Sequence, residues 1–378
     1  MRILFDARRS RYHATGIGRV VDGLLHALVT EGQQHQFLVL FGEKNPLNGL
    51  QAPNFEFRQV RLEVNSPAVN LVMPYLAQQW QADVAYYPFW LMPLVMPCPS
   101  VVTIHDLLYT NYVQYLSYPR RIFYAAYTSL ALRAVTRIQT VSYFTRSDLL
   151  RLFRISPSCI DVIPNSVDSL ECQDGIFASW HHTDTVTTFL PDGPSRPFGL
   201  YVGNHKPHKN LERLLRAYRL IADATETDLV IVGAKSSYEN LHDLPYVRLV
   251  QQLGLQNRVH FLGQISDAVL AHLYGGARFL VFPSLYEGFG LPALEAMHYG
   301  TPVACSNTTS LPEVVGDAAL TFDPLSERQI AGAMLTLDQS PELRANLAQR
   351  GHKQATLFSW RESARQWLSS MERAVEYL

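Results

Sequence analysis

The chain is poor in cysteine, and the few it has are badly placed for pairing. Cys98, Cys159, Cys172 and Cys305 are scattered, and no CxxC spacing exists. That excludes a disulfide framework and a zinc ligand set, and a reducing cytoplasm is the simplest expected compartment. An excess of one charge is missing too. Lys and Arg number 32 against 33 Asp and Glu, a formal net charge of −1, so bulk charge gives no reason to expect nucleic acid. No apolar run reaches the ~20 residues needed to span a bilayer, and MRILFDARRS has no long apolar core of a signal peptide. GxGxxG with an acid ~20 residues later, the mark of a dinucleotide-binding oxidoreductase, occurs in neither half. The HHT triplet at 181–183 lacks HExxH spacing and reads as bland.

What is present is a long, moderately apolar chain of 378 residues, 47% hydrophobic and 17% charged. That suits two globular domains of roughly 150–200 residues each. Short apolar runs at 2–6, 36–41, 83–87, 100–105, 137–142 and 160–163 read as buried strands. Helical patterns lie near 17–30, 118–136 and 144–154. The pattern restarts in the second half, with strands expected at 198–202, 228–232, 258–262, 279–283, 302–305 and 319–322. Helices are expected near 209–222, 267–276, 291–299, 327–338, 341–355 and 360–377. Such alternation predicts an α/β fold with parallel sheets covered on both faces. Between the halves, residues 164–197 are rich in turn formers. Two Rossmann-like, doubly wound domains are therefore expected, facing each other across a cleft, with ligand at the carboxyl ends of the strands.

The densest chemistry lies at residues 286–300, YEGFGLPALEAMHYG. A strand precedes it and a helix starts near Leu291, with Pro292 in its first turn, where a missing N–H does no harm. Gly288 and Gly290 let backbone approach a ligand, and the helix start suits a phosphate. Glu287 falls in the turn and Glu295 about one turn inside the helix. Continuous helix would set them ~80° apart, so two separate ligand contacts are expected. A lone pair of acids at this spacing is more often a solvated loop acid and a surface pair; the glycines and Pro292 in register between them argue the other way.

YEGFGLPALEAMHYGTPV resembles the E-x7-E signature of retaining glycosyltransferases of the GT-B fold, family GT4. VVTIHDL, VIPNSVD and SLPEVVGDAALTFDP resemble that family as well, and residues 198–323 match best. The resemblance implies an N-terminal acceptor-side domain over 1–175, with 360–378 packing back onto it, a linker over 176–196 and a nucleotide-sugar-binding domain over 197–359. It implies transfer of a hexose from a nucleoside diphosphate donor, with retention, to a saccharide or lipid-linked acceptor in polysaccharide biosynthesis. UDP-glucose is the favoured donor on family frequency and GDP-mannose the alternative. The rival class is a nucleotide-sugar-binding protein without catalysis.

By the same resemblance Glu287 lies by the donor sugar, Glu295 holds the ribose hydroxyls, Lys209 binds the diphosphate and His105 reaches the donor sugar. Ser284, Gly288, Phe289, Gly290 and Leu291 are expected as donor contacts, largely through backbone. Gly16 and Gly18 would bring amides to the diphosphate from the other domain. Asn204 stands where many relatives have an arginine, and His205, Lys206 or His208 are the candidate substitutes. No Asp-x-Asp motif occurs, so no metal and no cofactor is expected. Asp106 is expected to orient His105 or cap the next turn. Residues 118–154 hold arginines at 120, 121, 133, 137, 146, 151 and 154 with one acid, Asp148. Arg133 and Arg137 would share a helix face, and Arg151 and Arg154 a last turn that needs no partner. Interleaved with Tyr118, Phe123, Tyr124 and Tyr127, the arginines suit an anionic membrane surface at the inner leaflet; a solvated face over an aromatic core is the equal alternative.

Overall fold

The computed structural model describes residues 1–10, 16–43, 47, 52–64, 66–111, 118–167, 196–233 and 245–376. The chain divides into two compact units. One comprises Met1–Ser166 with Phe358–Leu378, the other Val167–Leu357. The expected linker at 176–196 lies, apart from Arg196, outside the described residues, as does the HHT triplet.

The first unit is built on seven parallel strands: β1 (Arg2–Asp6), β2 (Gln36–Phe41), β3 (Phe55–Gln59), β4 (Val84–Tyr87), β5 (Ser100–Ile104), β6 (Arg137–Thr140) and β7 (Ile160–Val162). Their order is β3-β2-β1-β4-β5-β6-β7. Strands β4, β5 and β6 are buried along their whole length, and β4 and β5 read as largely apolar runs for that reason. Besides the short helices Leu108–Asn111 and Pro157–Cys159, two longer elements went unread in the sequence. β3 is FEFRQ, an edge strand that is half polar and half buried. Helix Val69–Gln79 contains Pro74, which reads as a helix breaker.

Helix Trp360–Glu376 completes this unit from the far end of the chain. Trp367 is 1% exposed and packs on Phe5 and Tyr86, with ring centroids 5.7 and 4.9 Å away. Its closest helical neighbour is Gly16–Glu31. There Gly23 has no side chain to offer: a Cβ would lie 2.3 Å from the Trp360 ring, so glycine is what lets the two helices meet. Ion pairs from Arg361 and Arg365 to Glu31 close the rim.

The second unit carries β8 (Phe198–Val202), β9 (Asp228–Val232), β10 (Val259–Gly263), β11 (Phe279–Phe282), β12 (Val303–Ser306) and β13 (Ala319–Phe322), all parallel, in the order β10-β9-β8-β11-β12-β13. Helices Pro245–Gln252 and Leu311–Val315 were not read in the sequence; each is a turn or two long with a proline near its start. In both sheets the order reverses once, between β1 and β4 and between β8 and β11. Ligands of open α/β sheets bind at such reversals, outside the carboxyl ends of the strands.

Candidate active site

The reversal in the second sheet collects most of the residues singled out in the sequence. β8 runs into a 3-10 turn at Pro207–Lys209 and then helix Leu211–Ile221. Between turn and helix, Asn210 adopts φ 60°, a left-handed conformation that asparagine tolerates better than most residues. Its amide donates to the carbonyls of Pro283 (3.0 Å) and Pro324 (2.8 Å). The Leu285 amide donates to the His208 carbonyl at 2.7 Å. These bonds tie the loop after β8 to the loop after β11.

The result is an ion pair. Lys209 Nζ lies 2.6 Å from Glu287 Oε1, with both side chains about one-eighth exposed, at 13% and 12%. A half-sheltered pair of this kind fixes both side chains while leaving two ammonium protons for another acceptor. The turn that carries Glu287 is gripped from the loop after β12. Ser310 Oγ donates to the Glu287 and Phe289 carbonyls (3.0 and 2.9 Å), and the Glu287 amide donates to Thr309 Oγ1 (3.3 Å). Ser284 Oγ, fully buried beside this turn, has no hydrogen-bond partner among the described residues.

Gly290 then caps helix Leu291–His298 at φ 106°, with proline in the first turn. Glu295, one turn in, is 4% exposed and accepts from Tyr274 Oη at 2.7 Å. Tyr274 is stacked on Tyr299. The two acids thus have separate partners and separate places, because Glu287 precedes the helix cap and only Glu295 is helical. Gly288, Phe289, Gly290 and Leu291 all lie in the turn and helix start between them. Tyr274, Asn210 and Ser310, which position the acids and the lysine, gave no sequence signal: they stand on other elements at no fixed spacing from the acids.

The substitutes proposed for the missing arginine sort themselves by burial. Asn204 and Lys206 are exposed. His205 and His208 are about 5% exposed, and burial pushes their pKa values down to about 4 and about 3, helped at His208 by Lys209 and Lys206. Neither histidine is a cation at neutral pH. Lys206 is the one left.

His105, Gly16 and Gly18 belong to the first unit. Gly16 is the first residue of helix Gly16–Glu31 and Gly18 lies in its first turn; the loop at 11–15 is outside the described residues. His105 ends β5. Its Nε2 lies 3.0 Å from the Pro88 carbonyl, which can only accept, so Nε2 carries the proton and Nδ1 is an acceptor. Burial lowers its pKa to about 4, with Arg9 adding to the effect. Asp106 caps the next turn by accepting from the Leu108 amide at 3.0 Å.

The arginine stretch does not act as one surface. Helix Tyr118–Ala134 ends before Arg137. Arg137 opens β6, buried, and makes a two-pronged pair with Asp161 at 2.9 Å, so the expected like-charge pair with Arg133 is not formed. Arg151 pairs with Asp148 at 2.7 Å and reaches Asn111, and Arg154 lies beyond the helix Tyr143–Leu152. The side chains of Arg120 and Arg121 are outside the described residues. Tyr124 and Tyr127 pack on Trp90, whereas Tyr118, Ile122, Phe123 and Leu130 are 52–73% exposed.

Comparison with known proteins follows the same division. Residues 191–354 match the family described as Glycosyl transferases group 1, and residues 14–169 match Glycosyltransferase Family 4. The O-antigen chain mannosyltransferase B of Escherichia coli is 34% identical over 281 residues, which is 72% of this chain and 69% of that protein. The MMP alpha-(1->4)-mannosyltransferase of Mycolicibacterium hassiacum is 30% identical over 64% of this chain and 55% of its own length. Sucrose-phosphate synthase from Thermosynechococcus elongatus superposes with a TM-score of 0.78 over 100% of both chains at 20% identity, a likeness of fold.

Proposed function

Because the chain belongs to the group 1, family 4 glycosyltransferases, we propose that it transfers a hexosyl residue from a nucleoside diphosphate sugar to a saccharide or lipid-linked saccharide, with retention, in polysaccharide assembly. The carrying observation is the Lys209–Glu287 pair at the sheet reversal, next to the Gly290 helix start. In this reading the diphosphate lies against the ammonium and the helix amides, where anionic oxygens are favoured. Glu287 holds Lys209 toward the leaving group and lies by the sugar. Glu295, held by Tyr274, takes the ribose hydroxyls. His105, neutral and with Nδ1 an acceptor, takes a sugar hydroxyl. The departing phosphate oxygen accepts the acceptor's proton, so no separate base is invoked.

The names of two relatives favour a mannosyl donor, GDP-mannose, over UDP-glucose. Nucleoside diphosphate release across a panel of sugar nucleotides, each with excess EDTA, tests donor and metal independence together. Turnover with GDP-mannose that survives EDTA supports the reading. Loss of more than about tenfold, ~1.4 kcal/mol of barrier, restored by Mg²⁺ or Mn²⁺, would refute metal independence. Binding without any turnover would favour the non-catalytic alternative.

A further inference from the structure

The residues that lead into helix Leu311–Val315 run alongside the turn that carries Glu287, and they meet it in order. The Glu287 amide donates to Thr309 Oγ1 at 3.3 Å. Ser310 Oγ, fully buried, donates to the Glu287 carbonyl at 3.0 Å and to the Phe289 carbonyl at 2.9 Å. A hydroxyl has one proton, so this is a shared, three-centre bond that spans Gly288 and holds both of its neighbours. Leu311, also fully buried, fills the space where Gly290 would carry a Cβ, 2.5 Å from Leu311 Cδ2. Three consecutive side chains thus follow the turn from 287 to 290.

β11 and β12 are paired parallel strands, so the loops after them are neighbours in any case. The backbone that brings these hydroxyls to the turn is the unusual part. Thr309 has φ 61°. A β-branched residue in that region is an outlier, and glycine adopts the same conformation with no Cβ to crowd it. Such strain persists only where the surroundings over-determine it, and it gathers at functional sites. The strained residue here is the one whose hydroxyl meets the backbone of Glu287, the acid paired with Lys209. Glycine at this position would relax the backbone but would offer no oxygen to the Glu287 amide.

We propose that Thr309 and Ser310 are positioning residues for the transfer step: through the backbone of Glu287 they set its carboxylate against Lys209 and the donor sugar, and Thr309 keeps a strained conformation to do so. This deepens the transferase reading and rests on it. A contact that only stapled two loops would move stability and turnover together. A strained positioning contact moves them apart, because relaxing the strain favours the fold while releasing the acid.

The test uses the full chain with GDP-mannose or UDP-glucose, whichever wild type turns over. Thr309→Gly is expected to lower kcat about tenfold, as for a slightly misplaced reacting group, with donor KM within about twofold of wild type and Tm at or above it. Thr309→Ser restores the hydroxyl and should recover most of the lost kcat. Ser310→Ala should also lower kcat. Hydrogen exchange reads the clamp without turnover: amides of residues 285–290 should exchange several-fold faster in Thr309→Gly and Ser310→Ala, and at the wild-type rate in Thr309→Ser. Equal kcat in Thr309→Gly and Thr309→Ser, a Thr309→Gly enzyme that loses Tm along with kcat, or unchanged exchange across the turn overturns the proposal. A wild type that turns over no sugar nucleotide would instead overturn the transferase reading, and the exchange pattern would then decide separately whether the two hydroxyls hold the turn.

Discussion

At the scale of single residues, the proposed roles separate by when their contacts form. Lys209 and Glu287 are paired, and under the proposed reading charge develops beside them as the sugar leaves. Lys209→Ala and Glu287→Ala are expected to lower kcat by tenfold or more, on the order of 1.4 kcal/mol. Glu295→Ala and Tyr274→Phe remove contacts present equally before and at the transition state, so they should raise the donor KM and leave kcat within about twofold. Steady-state kinetics with varied donor decides this, and a Glu287→Ala enzyme with intact kcat would refute the assignment. The buried histidines give a second test. His105, His205 and His208 titrate at about 4, 4 and 3 when folded and near 6.5 unfolded. The unfolded chain therefore binds protons in that interval that the folded chain does not, and stability rises with pH there. It should be complete above about pH 6.5 and fall as pH drops toward 4. His205→Leu should flatten the decline in Tm between pH 7 and pH 5; a flat wild-type profile would contradict the burial argument. Glu287, Glu295 and Lys209 were legible because they stand in contiguous motifs with glycine and proline in register. Tyr274 was not, since a helix residue 21 positions upstream of Glu295 carries no spacing signal.

At the scale of elements, most inner strands were easy to read because burial on both faces makes them largely apolar runs. The edge strand Phe55–Gln59 and the proline-bearing helix Val69–Gln79 were hidden by mixed polarity and by a breaker that tertiary packing overrides. The turn before helix Leu291–His298 depends on one backbone conformation. At Gly290, φ is 106° and a Cβ would lie 2.5 Å from Leu311 Cδ2. Gly290→Ala is expected to cost about 1–3 kcal/mol, seen as a Tm drop of roughly 2–4 °C per kcal/mol, and to weaken nucleoside diphosphate binding. Unchanged affinity would mean that the helix start is not a phosphate site. Helix Tyr118–Ala134 presents Tyr118, Ile122, Phe123 and Leu130 outward. With two of the seven arginines engaged in ion pairs with acids of the first unit, any membrane contact falls chiefly to this apolar stripe. Wild type should pellet with anionic vesicles and Ile122→Glu/Phe123→Glu should not; equal recovery of both in the supernatant leaves a solvated face.

At the scale of the whole molecule, the chain enters the first unit, leaves it after Ser166, builds the second, and returns at Phe358. The return is anchored by Ser166 Oγ to the Phe358 carbonyl at 2.9 Å, Ser363 Oγ to the Pro164 carbonyl at 2.7 Å, and Trp367 in the core. On the ribosome this order has a temporal meaning. Residues 1–166 emerge first, yet their hydrophobic core stays open until the last helix is made. The second unit has all its strands available earlier and can close while its predecessor waits. At 5–20 residues per second, the 191 residues of Val167–Leu357 impose a delay of about ten to forty seconds on a first sheet still lacking its last covering helix. Nascent chains stalled with residue 357 just outside the tunnel should show a protease-resistant fragment from the second unit and rapid cleavage within residues 1–166. Extension by the final helix should protect both, and early resistance of 1–166 would show that the first sheet closes without Trp367.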